Sequence, residues 1–332
     1  MNKLNVAVIG AGAMGKSHAR VYSDMRNVKL IAICDTNKET AENIANKYKV
    51  RHYTAYNEML KKEKIDAASI CVPTKLHKKI AIDFLKKRIN VLIEKPIAAT
   101  IEGAKEIIKE AGKYKVKLMV GHIERFNPVV IELRKRIEKN ELGKIYKVHC
   151  VRLSPFPRRV VDVGVIIDLA IHEIDILKYI VNSKIIRVYA ETAQRIHSAH
   201  EDLLIGTLRF ENSILGVINA NWLTPKKVRE ITVTGEKGMF VANYMTQELY
   251  FYENEFTRRN IDYKSSFMNV VEGRMIRINI DKKEPLKNEL EAFARSILKH
   301  GNVPVTGEDG LNALHIAQKF LESSKNNKVV EL

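Results

Sequence analysis

The chain has 332 residues, a length that fits about two domains and allows a substantial hydrophobic core. Its formal net charge of +17 would attract anions. However, the lysines are spread over amphipathic helical stretches, and no basic tract is interleaved with aromatic residues. We therefore expect no nucleic-acid partner and attribute the charge to solvated helix faces and to attraction of anionic small molecules.

Sequence features of membrane, secreted and metal-binding proteins are missing. No apolar run approaches the roughly 18 residues of a membrane span, and the chain begins with a strand pattern rather than a signal peptide. The three cysteines, Cys34, Cys71 and Cys150, are widely spaced, so neither a disulfide framework nor a thiolate zinc site is indicated. These features predict a cytoplasmic protein with no membrane partner and no bound metal.

A strand followed by a glycine-rich turn opens the chain, with the sequence VAVIGAGAMGKSH. Gly10 would permit the tight turn, Gly12 would let backbone approach a pyrophosphate, and Gly15 would let the next helix pack closely on the strand. That helix would direct its first N–H groups at the phosphates. The residues predicted to line this dinucleotide site are Gly10, Ala11, Gly12, Ala13, Met14 and Gly15.

Asp35 ends the second strand, twenty residues after Gly15. At that distance an acidic side chain would accept a hydrogen bond from the ribose 2′-hydroxyl, and its charge would repel a 2′-phosphate. The predicted cofactor is therefore NAD rather than NADP.

Short apolar runs alternate with helical patterns as far as Gly121. Near-continuous apolar strands separated by helices predict an α/β fold with a doubly wound parallel sheet, a Rossmann domain over residues 1–121. The carboxyl ends of the strands would lie along one edge of the sheet, where ligands bind.

Two loops at this edge carry further candidate residues. CVPTKLH follows one strand and IEKP ends the next, so Lys95 would point into the crevice. The following proline restricts Lys95 to extended geometry and raises the chance of a cis bond. An ordinary exposed lysine is the alternative in so lysine-rich a chain. The loop residues predicted to contact the cofactor are Pro73, Thr74, His77, Glu94, Lys95 and Pro96.

Beyond Gly121 the pattern changes to the alternation of apolar and polar residues that is typical of antiparallel strands. It predicts an α+β domain over residues 122–332, with an antiparallel or mixed sheet and one long helix over about residues 165–181. Two late helices are predicted over 286–299 and 309–323, with the option that they pack back on the first domain.

The long helix carries a narrow polar stripe on an otherwise apolar cylinder that only Glu173 and Lys178 interrupt. A mostly buried helix must give such groups partners or a cavity, so the stripe predicts a polar ligand site. A solvent-facing stripe is the alternative, and a metal site is disfavoured because the spacing lacks the HExxH type. The stripe consists of Asp168, His172, Asp175 and Tyr179.

Together these motifs resemble the glucose-fructose oxidoreductase, inositol dehydrogenase and MocA (Gfo/Idh/MocA) family over essentially the whole chain. They are VAVIGAGAMG, PTKLH, EKPI, GHIERFNP and GVIIDLAIHEID, in the order that the family shows. The resemblance implies a Rossmann domain and a domain with a large open, mainly antiparallel sheet, through which members form homodimers or homotetramers. It also implies a catalytic group of Lys95, Asp168 and His172.

The chemistry that this resemblance implies is NAD-dependent oxidation of a sugar or polyol hydroxyl. His172 can accept the hydroxyl proton near neutral pH, Asp168 can orient its ring, and Lys95 can hydrogen-bond the reacting oxygen. The sequence leaves open whether His172 or Lys95 accepts the proton. A dehydrogenase of a free sugar or polyol and a non-catalytic dinucleotide-sensing regulator are the alternatives.

Substrate choice depends on two segments, GHIERFNPVV and SPFPRRVVDVG. They are similar to the branch of the family that acts on nucleotide-diphosphate sugars, in particular on the 3-hydroxyl of UDP-N-acetylglucosamine. Two adjacent guanidinium groups suit a diphosphate, although a mobile basic loop is the alternative. The residues predicted to contact the substrate are Lys95, Arg125, Asn127, Arg158, Arg159, Asp168 and His172.

Overall fold

In the computed structural model, residues 3–157, 163–196, 199–254 and 273–332 are described. The chain divides into two compact units. Unit 1 comprises Met1–Phe126 and Lys283–Ile316, and unit 2 comprises Asn127–Lys282 and Ala317–Leu332. The division at Phe126 differs from the predicted boundary at Gly121, because the helical turn Ile123–Phe126 packs on a late helix of unit 1.

Nine α-helices, of which the last two lie close to the positions predicted for them, are assigned in the described residues. They are α1 Ala13–Asp24, α2 Lys38–Tyr48, α3 Tyr56–Lys62, α4 His77–Lys86, α5 Ile101–Tyr114, α6 Pro128–Glu138, α7 Ile171–Val181, α8 Pro285–Leu298 and α9 Gly307–Asn326. A π-helical turn, Ile166–Ala170, precedes α7. None of the helices in the described part of the chain has both the length and the apolar content needed to cross a membrane.

Fifteen strands are assigned in the described residues. They are β1 Leu4–Ile9, β2 Val28–Cys34, β3 Arg51–Tyr53, β4 Ala67–Ile70, β5 Asn90–Glu94, β6 Leu118–Gly121, β7 Ile145–Leu153, β8 Ile185–Ala193, β9 Leu203–Phe210, β10 Leu215–Asn221, β11 Val228–Gly235, β12 Gly238–Asn243, β13 Glu248–Glu253, β14 Met275–Ile278 and β15 Val330–Glu331.

Unit 1 contains a six-stranded parallel sheet in the order β3-β2-β1-β4-β5-β6. Its central strands are buried on both faces because they are almost wholly apolar, and β4 is buried along its whole length. The strand order reverses between β1 and β4, so their carboxyl ends form the crevice in which such sheets bind ligands. The predicted doubly wound sheet is confirmed.

Unit 2 contains a nine-stranded mixed sheet in the order β14-β13-β12-β11-β7-β10-β9-β8-β15. Only β7 and β10 pair in parallel among these described strands, and every other neighbouring pair is antiparallel. Val148 and Cys150 of β7 are buried on one face, whereas Lys147 and His149 on the other face are partly exposed. The predicted, mainly antiparallel sheet is confirmed.

Candidate active site

The glycine turn between β1 and α1 is shaped for a close approach. Gly10 has φ +89°, and a Cβ atom there would lie 2.5 Å from the carbonyl oxygen of Cys71. A Cβ atom at Gly15 would lie 1.8 Å from the carbonyl oxygen of Gly10, so only glycine lets α1 pack this closely. At Gly12, the residue before α1, no described heavy atom would lie within 4 Å of an added Cβ. The open backbone at the start of α1 fits a dinucleotide pyrophosphate.

Asp35 lies beside this turn at the end of β2. Its Oδ2 atom accepts a hydrogen bond from the Ala11 N–H at 2.6 Å, and its Oδ1 atom accepts one from the Asn37 N–H at 2.8 Å. Each oxygen retains acceptor capacity for a ribose hydroxyl. The two backbone bonds hold the carboxylate next to the glycine turn, where its negative charge disfavours a 2′-phosphate.

His77, the first residue of α4, joins the two loops that contain the remaining predicted cofactor contacts. Its Nδ1 atom lies 2.8 Å from the carbonyl oxygen of Pro96, and its Nε2 atom lies 2.9 Å from that of Val72. Burial lowers the pKa of His77, although the two carbonyls act in the opposite direction. Pro73 and Thr74 form the short turn before α4, and Lys95 is half-buried, with a cis peptide bond to Pro96.

Glu94, the last residue of β5, is held by a buried chain of hydrogen bonds. Tyr22 Oη lies 2.8 Å from Ser69 Oγ, which lies 3.0 Å from His18 Nδ1. His18 Nε2 lies 3.0 Å from Glu94 Oε1. No role was predicted for His18 from the sequence, although it lies within the glycine-rich motif, one helical turn beyond Gly15.

In unit 2, the predicted stripe on α7 is largely buried. His172 and Asp175 are 7% and 2% exposed, and Asp168 is half-buried in the π-helical turn. The Arg134 guanidinium of α6 covers the Tyr179 ring at 3.9 Å from its centroid. His172 and Asp175 therefore do not belong to a solvent-facing stripe. Asp168 lies in a π-helical turn, and such turns are frequent at functional sites.

The start of this helical segment is fixed by Glu201. Its Oε1 atom accepts a hydrogen bond from the Ile166 N–H at 3.1 Å, and its carbonyl oxygen accepts one from the Val165 N–H at 2.9 Å. A Cβ atom at Gly164 would lie 2.0 Å from the Glu201 carboxylate. Glycine at position 164 thus lets an anionic side chain cap the helix start, where it also interacts favourably with the helix dipole.

Glu173, next to His172, attaches α7 to the sheet. Its side chain is fully buried, accepts a hydrogen bond from Arg152 of β7 at 2.8 Å, and lies 3.3 Å from the Tyr244 hydroxyl. The sequence pattern showed Glu173 only as an interruption of the apolar cylinder. The partner, Arg152, lies in a distant strand, so the helix pattern contained no signal for this ion pair.

Two family profiles together match almost the whole chain. Residues 4–122 match the profile described as "Oxidoreductase family, NAD-binding Rossmann fold", and residues 134–332 match "Oxidoreductase family, C-terminal alpha/beta domain". The chain belongs to the Gfo/Idh/MocA oxidoreductase family. Unit 1 accordingly contains an NAD-binding Rossmann domain, as predicted.

Relatives with named activities differ in substrate. Myo-inositol 2-dehydrogenase of Thermotoga maritima is 26% identical over 99% of both chains, and UDP-N-acetylglucosamine 3-dehydrogenase of Acidithiobacillus ferrooxidans is 24% identical over 96% of both. A solved structure of the latter enzyme has a TM-score of 0.86 at 23% identity and covers 98% of this chain and 99% of its own. An Agrobacterium radiobacter oxidoreductase solved with NAD+, L-tartaric acid and magnesium has a TM-score of 0.87 at 16% identity, with 99% and 98% covered.

Two predicted substrate contacts of this family member have structural partners. Arg125 Nη2 lies 3.1 Å from Asp309 Oδ1. Burial raises the pKa of Asp309, but the Arg125 charge and hydrogen bonds from Thr306 outweigh it and lower the pKa overall. Asn127 caps α6 and donates a hydrogen bond to the Tyr244 carbonyl oxygen at 3.0 Å. Their contact with substrate stays a prediction, and Arg158 and Arg159 lie outside the described residues.

The ion pair between Arg152 and Glu173 yields a stability prediction. Replacing Arg152 by Met would leave the Glu173 carboxylate buried without its cation, so we expect the free energy of unfolding to fall by about 3–5 kcal/mol. The double variant Arg152→Met/Glu173→Leu removes both charges and should recover most of that loss. Urea unfolding of the two variants and of Glu173→Leu completes the comparison. A double variant no more stable than Arg152→Met would contradict this account.

Proposed function

We propose that this protein oxidises a secondary hydroxyl group of a sugar with NAD, and that the sugar is a nucleotide diphosphate sugar. The favoured reaction converts the 3-hydroxyl of UDP-N-acetylglucosamine to a ketone. The presence of the family's catalytic residues on anchored elements supports the oxidoreductase part: Lys95 follows Glu94, which His18 holds, and His172 lies on the helix that Glu173 holds. These anchors also weigh against a regulator that has lost the reaction.

Each residue of the catalytic group has a chemical task in this proposal. Bound NAD would accept the hydride that leaves the substrate carbon. His172 and Lys95 are the two groups that can take up or stabilise the hydroxyl proton, because an imidazole titrates near neutral pH and an ammonium can donate to a developing alkoxide. Asp168, one helical turn before His172, can stabilise the imidazolium that proton transfer produces.

The proposal that the substrate contains a nucleotide diphosphate is supported by the sequence. The GHIERFNPVV segment is similar to that of family members that act on nucleotide-diphosphate sugars. Arg158 and Arg159, which are consecutive in the chain, suit a diphosphate because guanidinium groups bind phosphates through paired hydrogen bonds. Oxidation of a free polyol is the second candidate, since the inositol 2-dehydrogenase of Rhizobium meliloti is 27% identical over 98% of both chains.

Substitution of Lys95 or His172 tests the catalytic assignment. Either change to Ala should lower kcat by about 10²–10⁴-fold because a proton-transfer group is lost, while NAD affinity stays within a few-fold. Lys87→Ala and His52→Ala, at exposed positions of unit 1, are the matched controls. Steady-state kinetics and NADH fluorescence titration provide the measurements. Near-normal turnover in both active-site variants would refute the assignment.

A substrate panel separates the two candidates. We expect kcat/KM for UDP-N-acetylglucosamine to exceed that for N-acetylglucosamine, glucose and myo-inositol by about 100-fold or more, because free sugars lack the charge-assisted diphosphate contacts. NAD reduction measures the rates, and mass spectrometry should show a product that is two hydrogens lighter. Equal activity on free sugars would refute the proposal that the substrate is a nucleotide sugar. A preference for myo-inositol would favour the second candidate.

We further propose that the open face of the unit 2 sheet binds a second copy of the chain. Ile205, Leu215 and Tyr252 on this face are large apolar residues that are 41%, 43% and 37% exposed. The strand pairings also order the charges of this face into two rows across the strands. The basic row contains Arg187, Arg209 and Lys147, and the acidic row contains Glu191, Glu230 and Glu248.

A twofold axis that lies in the face and runs across the strands would place each basic row over the partner's acidic row. Arg187 and Glu191 lie on the same strand, β8, so this axis pairs Arg187 with the partner's Glu191. The apolar side chains between and beside the rows would then be buried by the same contact.

Charge exchange on β8 tests this arrangement. Arg187→Glu should weaken the dimer about tenfold or more, because it places like charges together twice per dimer. The double variant Arg187→Glu/Glu191→Arg should restore the affinity. Lys29→Glu in unit 1 is the control, and analytical ultracentrifugation measures the dissociation constants. A monomeric wild-type protein, or a double variant as weak as the single one, would refute the arrangement.

A further inference from the structure

Glu289 of α8 is a buried acid that the proposed chemistry does not use. Its side chain has 0% exposure, and neither carboxylate oxygen has a hydrogen-bond partner among the residues that the structure describes. An ionised carboxylate in that state would lose its hydration without compensation. A buried, unsatisfied acid therefore requires a proton, a water molecule or a cation.

Several titratable groups surround Glu289. Helix α8 packs on α1, which contains His18 and Tyr22, and on the turn Ile123–Phe126, which contains Glu124 and Arg125, the partner of Asp309. Cys71, after β4, and Glu94, at the end of β5, interact with Glu289 electrostatically. Burial is the largest cause that raises the pKa of Glu289, and the charges of Glu94 and Glu124 raise it further. Burial and the charges of Glu94 and Glu289 also raise the pKa of the Cys71 thiol.

Glu94 differs from Glu289 in having a hydrogen-bond donor. A carboxylate only accepts, so His18 Nε2 donates the hydrogen bond to Glu94 Oε1, and His18 Nδ1 lies 3.0 Å from Ser69 Oγ. Burial acts to raise the pKa of Glu94, but the hydrogen bond from His18 and the charges of His18 and Lys95 outweigh it, and the pKa is lowered. The pKa values of the two neighbouring acids are thus shifted in opposite directions, that of Glu94 downwards and that of Glu289 upwards.

We propose that His18 and Glu289 are positioning residues for Lys95: His18 fixes the Glu94 carboxylate, and Glu289 stays a neutral acid that adds no second negative charge beside it. The assignment to Lys95 rests on the function proposed above. Glu94 and Lys95 are adjacent in the chain and attract each other, so the direction and charge of the Glu94 carboxylate act directly on the lysine. A second buried negative charge would push Glu94 away from His18.

A bound cation is the competing explanation for the same cluster. Donor atoms of His18, Cys71 and Glu94 all lie within 4.8 Å of one another. However, the two ring nitrogens of His18 already face Ser69 and Glu94, so a cation would have to displace a hydrogen bond. A proton on Glu289 removes the excess negative charge without that loss.

The protonation state can be tested without any assay of activity. The folded protein keeps a proton on Glu289 that the unfolded chain releases above its ordinary pKa of 4.5. Stability from this group is therefore fully present at low pH and declines as pH rises. Relative to Glu289→Gln, the wild-type unfolding constant should rise by up to about tenfold per pH unit above that value. Urea unfolding between pH 5 and 9 measures this ratio, with Glu291→Gln on the same helix as control.

Two outcomes would overturn the proposal that Glu289 is protonated in the folded protein. A ratio between wild type and Glu289→Gln that does not change with pH would mean that the folded protein holds no extra proton there. Stoichiometric metal in the purified protein, together with a loss of thermal stability on EDTA treatment that Glu289→Gln does not show, would assign the cluster to a cation. Both readouts stand even if the protein acts on a different substrate.

The positioning role is tested by kinetics with matched variants. His18→Ala should lower kcat while KM for NAD changes little, and His18→Gln, which retains an N–H donor towards Glu94, should recover about tenfold of the lost kcat. Glu289→Gln should likewise keep most of the kcat that Glu289→Ala loses. Equal losses in the Ala and Gln variants, or a change confined to KM for NAD, would refute the positioning role.

Discussion

The close contact between α1 and the end of β1 is the constraint on which the rest of unit 1 depends. Because Gly15 has no side chain, α1 approaches the Gly10 carbonyl at a distance that no other residue permits. This approach leaves the first N–H groups of α1 accessible for a phosphate. It also brings His18 and Tyr22, one and two turns later, within hydrogen-bond distance of Ser69 and Glu94. The cofactor turn and the support of Lys95 thus share one packing contact.

Unit 2 fixes helix α7, which carries the candidate residue His172, by a different means. Helix α7 is so apolar that burial alone would allow it to rotate or slide among equivalent apolar contacts. A charged pair is directional, and the buried bond from Arg152 to Glu173 selects one rotation of the helix. Glu201 fixes the start of the helical segment, so His172 and Asp168 are held by groups on both sides of them in sequence.

The sequence predicts the parts of this structure that depend on local order. Glycine spacing, the acid at position 35 and the alternation of apolar strands with helices were enough to predict the parallel sheet and its NAD-binding turn. The mixed sheet of unit 2 followed from period-two alternation. Short elements such as β3 and α3 were missed, because three to seven residues with one buried side chain carry little periodic signal.

The groups that support the candidate site were harder to predict because their partners are distant in sequence. In the sequence, Glu173 is only an interruption of an apolar helix and Glu289 looks like an ordinary polar position of an amphipathic one. Only the fold reveals that Glu173 pairs with Arg152 and that the charge of Glu94 acts on Glu289. The π-helical turn at Asp168 also has no local sequence signature. Local patterns thus indicate the candidate catalytic residues, whereas long-range contacts determine how those residues are held.

Asp35 is linked both to the predicted coenzyme preference and to the structure of the glycine-rich turn, which limits the substitutions that could change that preference. The carboxylate that is predicted to discriminate between the two nicotinamide dinucleotides is also the acceptor for the Ala11 amide in the glycine-rich turn. Exchange for a neutral or basic residue would leave that amide unsatisfied while relieving the repulsion. A variant of this protein that uses NADP would therefore need a second hydrogen-bond acceptor for the Ala11 amide. Variants that lose Asp35 before they gain this acceptor would have a less stable glycine-rich turn.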